Sequence, residues 1–214
     1  YRAAGRWGGM PEFWSFTSGR NNQGAIVPTH VALLRGINVG GRNRVAMAAL
    51  REVVEGLGHT GVATYIQSGN VVFTSEEADP ATLAAALERA IADQLDVQPK
   101  VVVLTREQLA QVVADYPFPE EDNPRLVHAL FWNGPLGPEE LAAVAAAQRQ
   151  AREAGARDEA KVVGTTLYLH TPDGYGRSEL AARLARIGGG RTAATAATAR
   201  NWATVQRLQA MCDS

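Results

Sequence analysis

The chain has 214 residues and a formal net charge of −1; 46% of its residues are hydrophobic and 20% are charged. These fractions are typical of a globular protein and exclude a disordered or fibrous chain. Because the net charge is close to zero, the charge of the whole molecule does not favour binding to nucleic acid or to a membrane surface, and any charged site must be local.

Residues that commonly hold metals or disulfides are scarce. The single cysteine, Cys212, allows neither a disulfide framework nor a cysteine metal site. The four histidines are far apart in the sequence and have no second ligand at metal spacing. No apolar run approaches the roughly 20 residues that span a bilayer. We therefore expect a cytoplasmic protein with no membrane partner, no metal and no cofactor.

The first 27 residues show no period of 2 or 3.6, which is the signature of strands and helices. We expect residues 1–27 to form a poorly ordered extension. A GTG start codon read at Val27 would place this extension upstream of the true start.

From residue 28 the chain alternates regularly between apolar runs and turn residues. Short β-rich runs indicate strands, and apolar residues at helical spacing indicate helices. The first unit is predicted to contain a strand at 31–34, a helix at 45–57, hairpin strands at 62–66 and 71–73, a helix at 81–95, a strand at 101–104 and a short helix from a capping box at 105–108.

The same order of elements recurs after a proline-rich linker at 116–124. The second unit is predicted to contain a strand at 126–132, a helix at 138–150, hairpin strands at 161–163 and 167–169, a helix at 178–187 and a last helix with Trp202 as its core anchor. The sequence thus predicts an α+β protein of two successive ferredoxin-like (βαββα) units, at 28–115 and 125–214.

Handedness predicts which loops of the first unit meet. A right-handed crossover makes the strands that flank the first helix parallel, so the third strand lies antiparallel between them. The loop after the first strand and the turn between the hairpin strands then leave the same edge of the sheet. We expect residues 36–44 and 67–70 to be neighbours.

Four segments resemble the signature runs of the bacterial domain of unknown function family 1697. They are Leu34–Gly41, Tyr65–Phe73, Gly174–Leu180 and Thr198–Val205. The similarity spans about residues 28–211 and implies a two-part ferredoxin-like architecture. It implies no activity, so the catalytic residues stay unknown.

The loop at 35–44 has the composition of an anion site, with three arginines, two asparagines and three glycines. Guanidinium groups and exposed backbone N–H groups near the start of a helix bind phosphate or carboxylate. The loop matches neither the Walker A nor the G-x-G-x-x-G pattern. The candidate ligand-binding residues are Arg35, Gly36, Asn38, Gly40, Gly41, Arg42, Arg44, Ser68, Gly69 and Asn70. In the alternative interpretation the glycines make a tight turn and the arginines pair with carboxylates.

Three functions remain open. The leading hypothesis is binding of a small anionic ligand, such as a nucleotide or a phosphorylated metabolite. The second is an enzyme acting on such a ligand, with Asp173 or Tyr175 as acid or base. The third is nucleic-acid binding through residues 177–207, which hold six arginines and one acid. The scarcity of exposed aromatic residues on the predicted strands weighs against the third.

Overall fold

The computed structural model describes residues 27–41, 43–187 and 197–214. The expectation of a poorly ordered extension at 1–27 falls, except for Val27, outside these residues. The strands are β1 (His30–Arg35), β2 (Thr60–Tyr65), β3 (Asn70–Thr74), β4 (Lys100–Thr105), β5 (Val127–Phe131), β6 (Glu159–Val163), β7 (Thr166–His170) and β8 (Thr198–Asn201). The α-helices are α1 (Met47–Gly56), α2 (Pro80–Leu95), α3 (Arg106–Ala114), α4 (Pro138–Glu153), α5 (Glu179–Ile187) and α6 (Trp202–Cys212).

Capping groups fix where α2 and α3 begin. The Asp79 side chain accepts from the backbone N–H of Thr82 at 2.9 Å, and Pro80 occupies the first position of α2. Thr105 and Gln108 form both halves of the capping box predicted for α3. These local signals explain why the starts of α2 and α3 were predictable from sequence.

Each unit forms a four-stranded antiparallel sheet, with orders β2-β3-β1-β4 and β6-β7-β5-β8. Both orders are those of a ferredoxin-like α+β fold, as predicted. The sequence prediction was wrong to end the second unit's strands at residue 169, because β8 pairs antiparallel with β5. The buried residues of β8 are Thr198 and Arg200, so this strand lacks the apolar alternation that reveals strands in a sequence.

Three hydrophobic clusters organise the layers. The α1 and α2 helices cover one face of the first sheet, and α4 and α5 cover one face of the second. The opposite faces of both sheets share a third cluster with α3 and α6. Trp202 is 4% exposed in this cluster and stacks on Tyr116 with ring centroids 4.4 Å apart, as expected of a core anchor. Within the described residues, every helix is too short or too polar to span a membrane.

The loop after β1 and the β2–β3 turn are neighbours, as the topology predicts. The backbone N–H of Leu34 donates to the Gly69 carbonyl at 2.8 Å. The Asn38 amide donates at 2.9 Å both to the Gln67 carbonyl and to the Val45 carbonyl. Asn38 therefore ties the loop to the turn and to the start of α1.

Gly69 is the glycine of this junction at which neighbouring side chains also occupy the Cβ position. Its φ is +76°, and a Cβ there would lie 2.7 Å from Ile37 Cδ1 and 2.8 Å from Leu34 Cβ. Gly164, in the matching turn of the second unit, has a φ of +58° but no heavy atom within 4 Å of the Cβ position. Both glycines have a positive φ, but neighbouring side chains crowd the Cβ position only at Gly69.

We predict that Gly69→Ala lowers the free energy of unfolding by more than Gly164→Ala does. Both variants lose about 1–2 kcal/mol from the left-handed backbone. Gly69→Ala adds an overpacking loss of about 1–3 kcal/mol. Urea denaturation of both variants measures the difference, and equal losses would contradict the close packing at Gly69.

Candidate functional site

Arg200 extends from β8 of the second unit into the loop junction of the first. The residue is 7% exposed. Its Nε donates to Asn70 Oδ1, and its Nη2 donates to the Leu34 carbonyl at 2.7 Å. Nη2 also lies 3.1 Å from the Ser68 carbonyl and 3.2 Å from the Gly69 carbonyl. The guanidinium therefore holds β8 against both signature segments of the first unit.

The remaining donors of Arg200 are used within its own strand. Nη1 donates to Thr198 Oγ1 and to the Ala199 carbonyl, each at 2.9 Å. No acidic side chain in the described residues forms an ion pair with this guanidinium. Burial lowers the pKa of Arg200 to about 10, so the group is still charged at neutral pH. A positive charge is buried here among neutral acceptors.

A cavity of about 310 Å³ adjoins Arg200 where the two units meet. Residues from both units line it. Its apolar lining comes from Leu34, Ile37, Val39, Leu130, Ala185, Ala197 and Ala199. Its other described lining residues are Arg35, Gly36, Ser68, Tyr175, Thr198 and Arg200.

Two hydroxyl groups of this lining have a proton to donate. Ser68 Oγ accepts from Asn70 Nδ2 at 3.0 Å, and Thr198 Oγ1 accepts from Arg200 Nη1 at 2.9 Å. A hydroxyl that accepts one hydrogen bond still has its own proton for another acceptor. Among the described residues, neither hydroxyl donates a hydrogen bond of its own.

Arg35 and Tyr175 supply the other polar groups. Arg35 is half-buried, and it forms no ion pair within the part of the chain that the structure describes. Burial raises the pKa of Tyr175, and the nearby Arg35 charge offsets part of that rise. The Tyr175 hydroxyl is therefore protonated at neutral pH and can donate a hydrogen bond.

His128 packs behind Tyr175, with ring centroids 4.1 Å apart. Its Nδ1 is buried and has no hydrogen-bond partner among the described residues. Burial lowers its pKa to about 4, so the imidazole is neutral at physiological pH. It supports the tyrosine ring without adding charge to the site.

The structure divides the sequence-predicted ligand residues into four groups. Three line the cavity: Arg35, Gly36 and Ser68. Three lie in the framework behind it, with their backbone or amide groups in hydrogen bonds: Asn38, Gly69 and Asn70. Three are exposed in the loop: Gly40, Gly41 and Arg44. Arg42 lies outside the described residues.

Sequence reasoning did not assign Thr198 and Arg200 to the site, and it considered Tyr175 only as an acid or base. All three belong to the later signature segments, which carried the family resemblance. The sequence analysis did not predict the strand β8, which carries Thr198 and Arg200. A βαββαβ unit places its last strand beside its first, so predicting β8 would have placed these two residues in the second sheet beside β5.

The other candidate acid, Asp173, lies apart from the cavity. Its carboxylate accepts from Arg157, and this hydrogen bond lowers its pKa. Both side chains are largely exposed. Among the described residues, no cluster of three or more His, Cys, Asp or Glu side chains is placed to hold a metal ion.

A second cavity, of about 560 Å³, has the corresponding position in the duplicated architecture. There the loop after β5 and the β6–β7 turn meet β4 and α3 of the first unit. Its charged lining residues in the described chain are Asp79 and Asp115, and its other polar side chains are amides, hydroxyls and the indole of Trp132. Of these two cavities in the described residues, the one at Arg35 has the cationic lining.

Comparison with known proteins identifies the fold but no activity. A family model described as a protein of unknown function (DUF1697) matches residues 27–168. The structure of the conserved bacterial protein SP0830 from Streptococcus pneumoniae is similar, with a TM-score of 0.62 and 24% identity over 87% of this chain and 99% of that one. Comparison with curated proteins found no match.

We predict that His128 makes the protein less stable as the pH falls from about 6.5 to about 4. The folded pKa is lowered from 6.5 to about 4, so in this interval the unfolded chain binds more protons at His128. His128→Phe keeps an aromatic ring beside Tyr175 and removes the titration. Urea unfolding at about pH 7 and about pH 4.5 should show a larger loss in the original protein than in the variant. An equal loss would contradict a buried neutral imidazole.

Proposed function

Because the chain belongs to the DUF1697 family of proteins of unknown function, we propose its function from the cavity itself: the protein binds a small anionic ligand between Arg35 and the second unit. One observation carries the proposal. The polar side chains of the described lining are two guanidinium groups and three hydroxyl groups, which together carry positive charge, can donate hydrogen bonds and include no carboxylate, so an acceptor with negative charge is the complementary ligand.

The buried charge of Arg200 favours the same class of ligand. Its donors are used by the protein, so it acts through its charge rather than through direct hydrogen bonds. A charge interaction is stronger in a partly buried site than in water, because the effective dielectric constant is lower. An anion in the cavity would supply the negative partner that the described residues do not provide.

The size of the cavity indicates a compact ligand. Pockets for small molecules span about 300–1,000 Å³. At about 310 Å³ this cavity lies at the lower end of that range. A mononucleotide or a phosphorylated metabolite is within the proposed class, and a dinucleotide is too large to be enclosed.

The same lining favours binding over catalysis. None of the described residues that line the cavity carries a carboxylate or an imidazole. The Tyr175 pKa is raised, so this hydroxyl is a poor base at neutral pH. Asp173 is engaged by Arg157 outside the cavity. An enzyme of this design would act through positioning and charge alone.

Nucleic-acid binding receives less support. Arg200 and Trp202 of the arginine-rich segment are buried, so neither is available to a phosphate backbone or a base. Arg183 pairs with Glu179 at 2.8 Å. The remaining described arginines of the segment, Arg177, Arg186 and Arg207, are exposed.

We predict that Arg35→Ala weakens anion binding while the fold is kept. A charge-assisted hydrogen bond contributes about 1.5–3 kcal/mol, so the dissociation constant should rise roughly 10-fold to 150-fold. The free energy of unfolding should change by less than about 1 kcal/mol, because Arg35 is half-buried with no acidic partner in the described chain. Titration calorimetry with ribose 5-phosphate and with inorganic phosphate measures the affinity.

Arg44→Ala is the matched control, since it removes the same charge from the same loop at an exposed position that does not line the cavity. It should change the affinity by less than about 3-fold. If Arg35→Ala chiefly lowers stability and the original protein binds no anion, the loop is purely structural.

A further inference from the structure

We infer that the second cavity, of about 560 Å³, binds a small organic cation with a primary ammonium group. This inference is independent of the anion site proposed above. The described lining of the cavity includes two carboxylates and no lysine, arginine or histidine. The cavity also lies where the two units meet, which is a common place for small-molecule sites, and its volume is within their usual range.

Asp115 lies where its own helix disfavours a negative charge. It follows the last residue of α3, at the end of the helix that carries the negative pole of the dipole. Its Oδ1 accepts from Gln111 Nε2 at 2.8 Å. Burial and the nearby Asp115 charge raise the pKa of Tyr168, so this carboxylate acts on the buried face between the sheets. A cationic ligand would offset the unfavourable position of this charge.

Asp79 adds a second negative charge to the lining. Its carboxylate accepts from the hydroxyl and from the backbone N–H of Thr82, and these hydrogen bonds lower the pKa of Asp79. The group is therefore ionised at neutral pH. Neither Asp79 nor Asp115 forms an ion pair within the part of the chain that the structure describes. The two charges together favour a cation in the cavity.

The hydroxyl of Thr166 is a second, independent indication of a ligand with N–H donors. Leu167 and Leu169 pack in the cluster with α4 and α5, whereas Tyr168 packs in the cluster between the sheets. Side chains alternate along a strand, so Thr166 lies on the same face as Tyr168. Thr166 is 3% exposed and lines the cavity, and its hydroxyl has no hydrogen-bond partner among the described residues. Buried hydroxyls are normally hydrogen-bonded, and an ammonium N–H would supply the donor here.

Two amide side chains add oxygen acceptors to the lining. Gln111 Nε2 donates to Asp115, and Asn133 Nδ2 donates to the Val101 carbonyl at 2.9 Å. The oxygen of each amide accepts no hydrogen bond from the described residues. Gln108 is the exception, because its amide oxygen accepts a hydrogen bond in the capping box of α3. A primary ammonium group has three N–H donors to offer to such acceptors.

The lining favours an organic cation over a metal ion. Calcium and magnesium are held by about six or more oxygen ligands in a close shell. No group of three or more His, Cys, Asp or Glu side chains in the described chain is placed to hold a metal ion. The cavity volume of about 560 Å³ instead accommodates a molecule of several carbon and nitrogen atoms.

Diaminobutane and butanediol test the inference as a matched pair, because the diol has hydroxyl groups where the diamine has ammonium groups. Both are titrated calorimetrically into the full chain at low ionic strength, where charge interactions are screened least. Diaminobutane should bind at least roughly 10-fold more tightly than butanediol. If the diol binds as tightly, or if magnesium binds and the diamine does not, the inference is wrong.

Asp115→Asn should weaken the binding of diaminobutane roughly 10-fold to 150-fold, because a hydrogen bond to a charged group is lost. The variant should unfold at the same or a higher urea concentration, since it removes a negative charge from the C-terminal end of α3. A lower unfolding midpoint would show a structural carboxylate and contradict the inference. Asp93→Asn is the matched control: it removes an exposed carboxylate of α2 that does not line the cavity, and it should change the affinity less than about 3-fold.

Thr166→Val keeps the shape of the side chain and removes the hydroxyl, so it should weaken diaminobutane roughly 2-fold to 13-fold. If Asp115→Asn and Thr166→Val leave the affinity unchanged, the diamine binds elsewhere and the inference is overturned. If the original protein does not bind diaminobutane, the inference also fails, while the anion site at Arg35 is unaffected.

Discussion

The structure depends on one buried cation, the guanidinium of Arg200, which has no carboxylate partner among the described residues. Transfer of an isolated charge from water into a protein interior is strongly unfavourable unless hydrogen bonds replace its hydration. Arg200 obtains these bonds from Asn70 and from carbonyl groups of the β1 end, the β2–β3 turn and its own strand. Its acceptors can all be reached only when the second sheet is docked on the first, so the same contact defines how the units fit together.

The candidate site is a consequence of that docking. The residues behind the cavity, Asn38, Gly69 and Asn70, shape the loop and turn that accept the guanidinium. Ser68 and Thr198 are then held with their hydroxyl oxygens accepting from this framework. The charge that joins the two units also raises the positive potential of the cavity between them. The group that stabilises the docking of the two units is thus also a charge on which the proposed anion binding depends.

Much of the fold could be predicted from the sequence because its signals are local. The capping box at Thr105 and the proline that opens α2 marked helix starts, and the right-handed crossover predicted that residues 36–44 lie next to 67–70.

The strand β8 could not be found in this way, because its buried residues are Thr198 and Arg200 rather than an apolar alternation. The cavity was also beyond sequence reasoning, since half of its lining comes from a unit whose docking depends on long-range packing. The loop at 35–44 was identified as a candidate, but the division into lining residues and framework residues needed the structure.

A double-mutant cycle on Arg200→Met and Asn70→Ala tests the central contact most directly. The free energies of urea unfolding of the original protein, the two single variants and the double variant give the coupling between the two side chains. If the guanidinium depends on Asn70 as the structure shows, the coupling should be about 1.5–3 kcal/mol, the range for a hydrogen bond to a charged group. Losses that add to within about 0.5 kcal/mol would mean that the two groups act independently, and they would contradict the role given to Arg200.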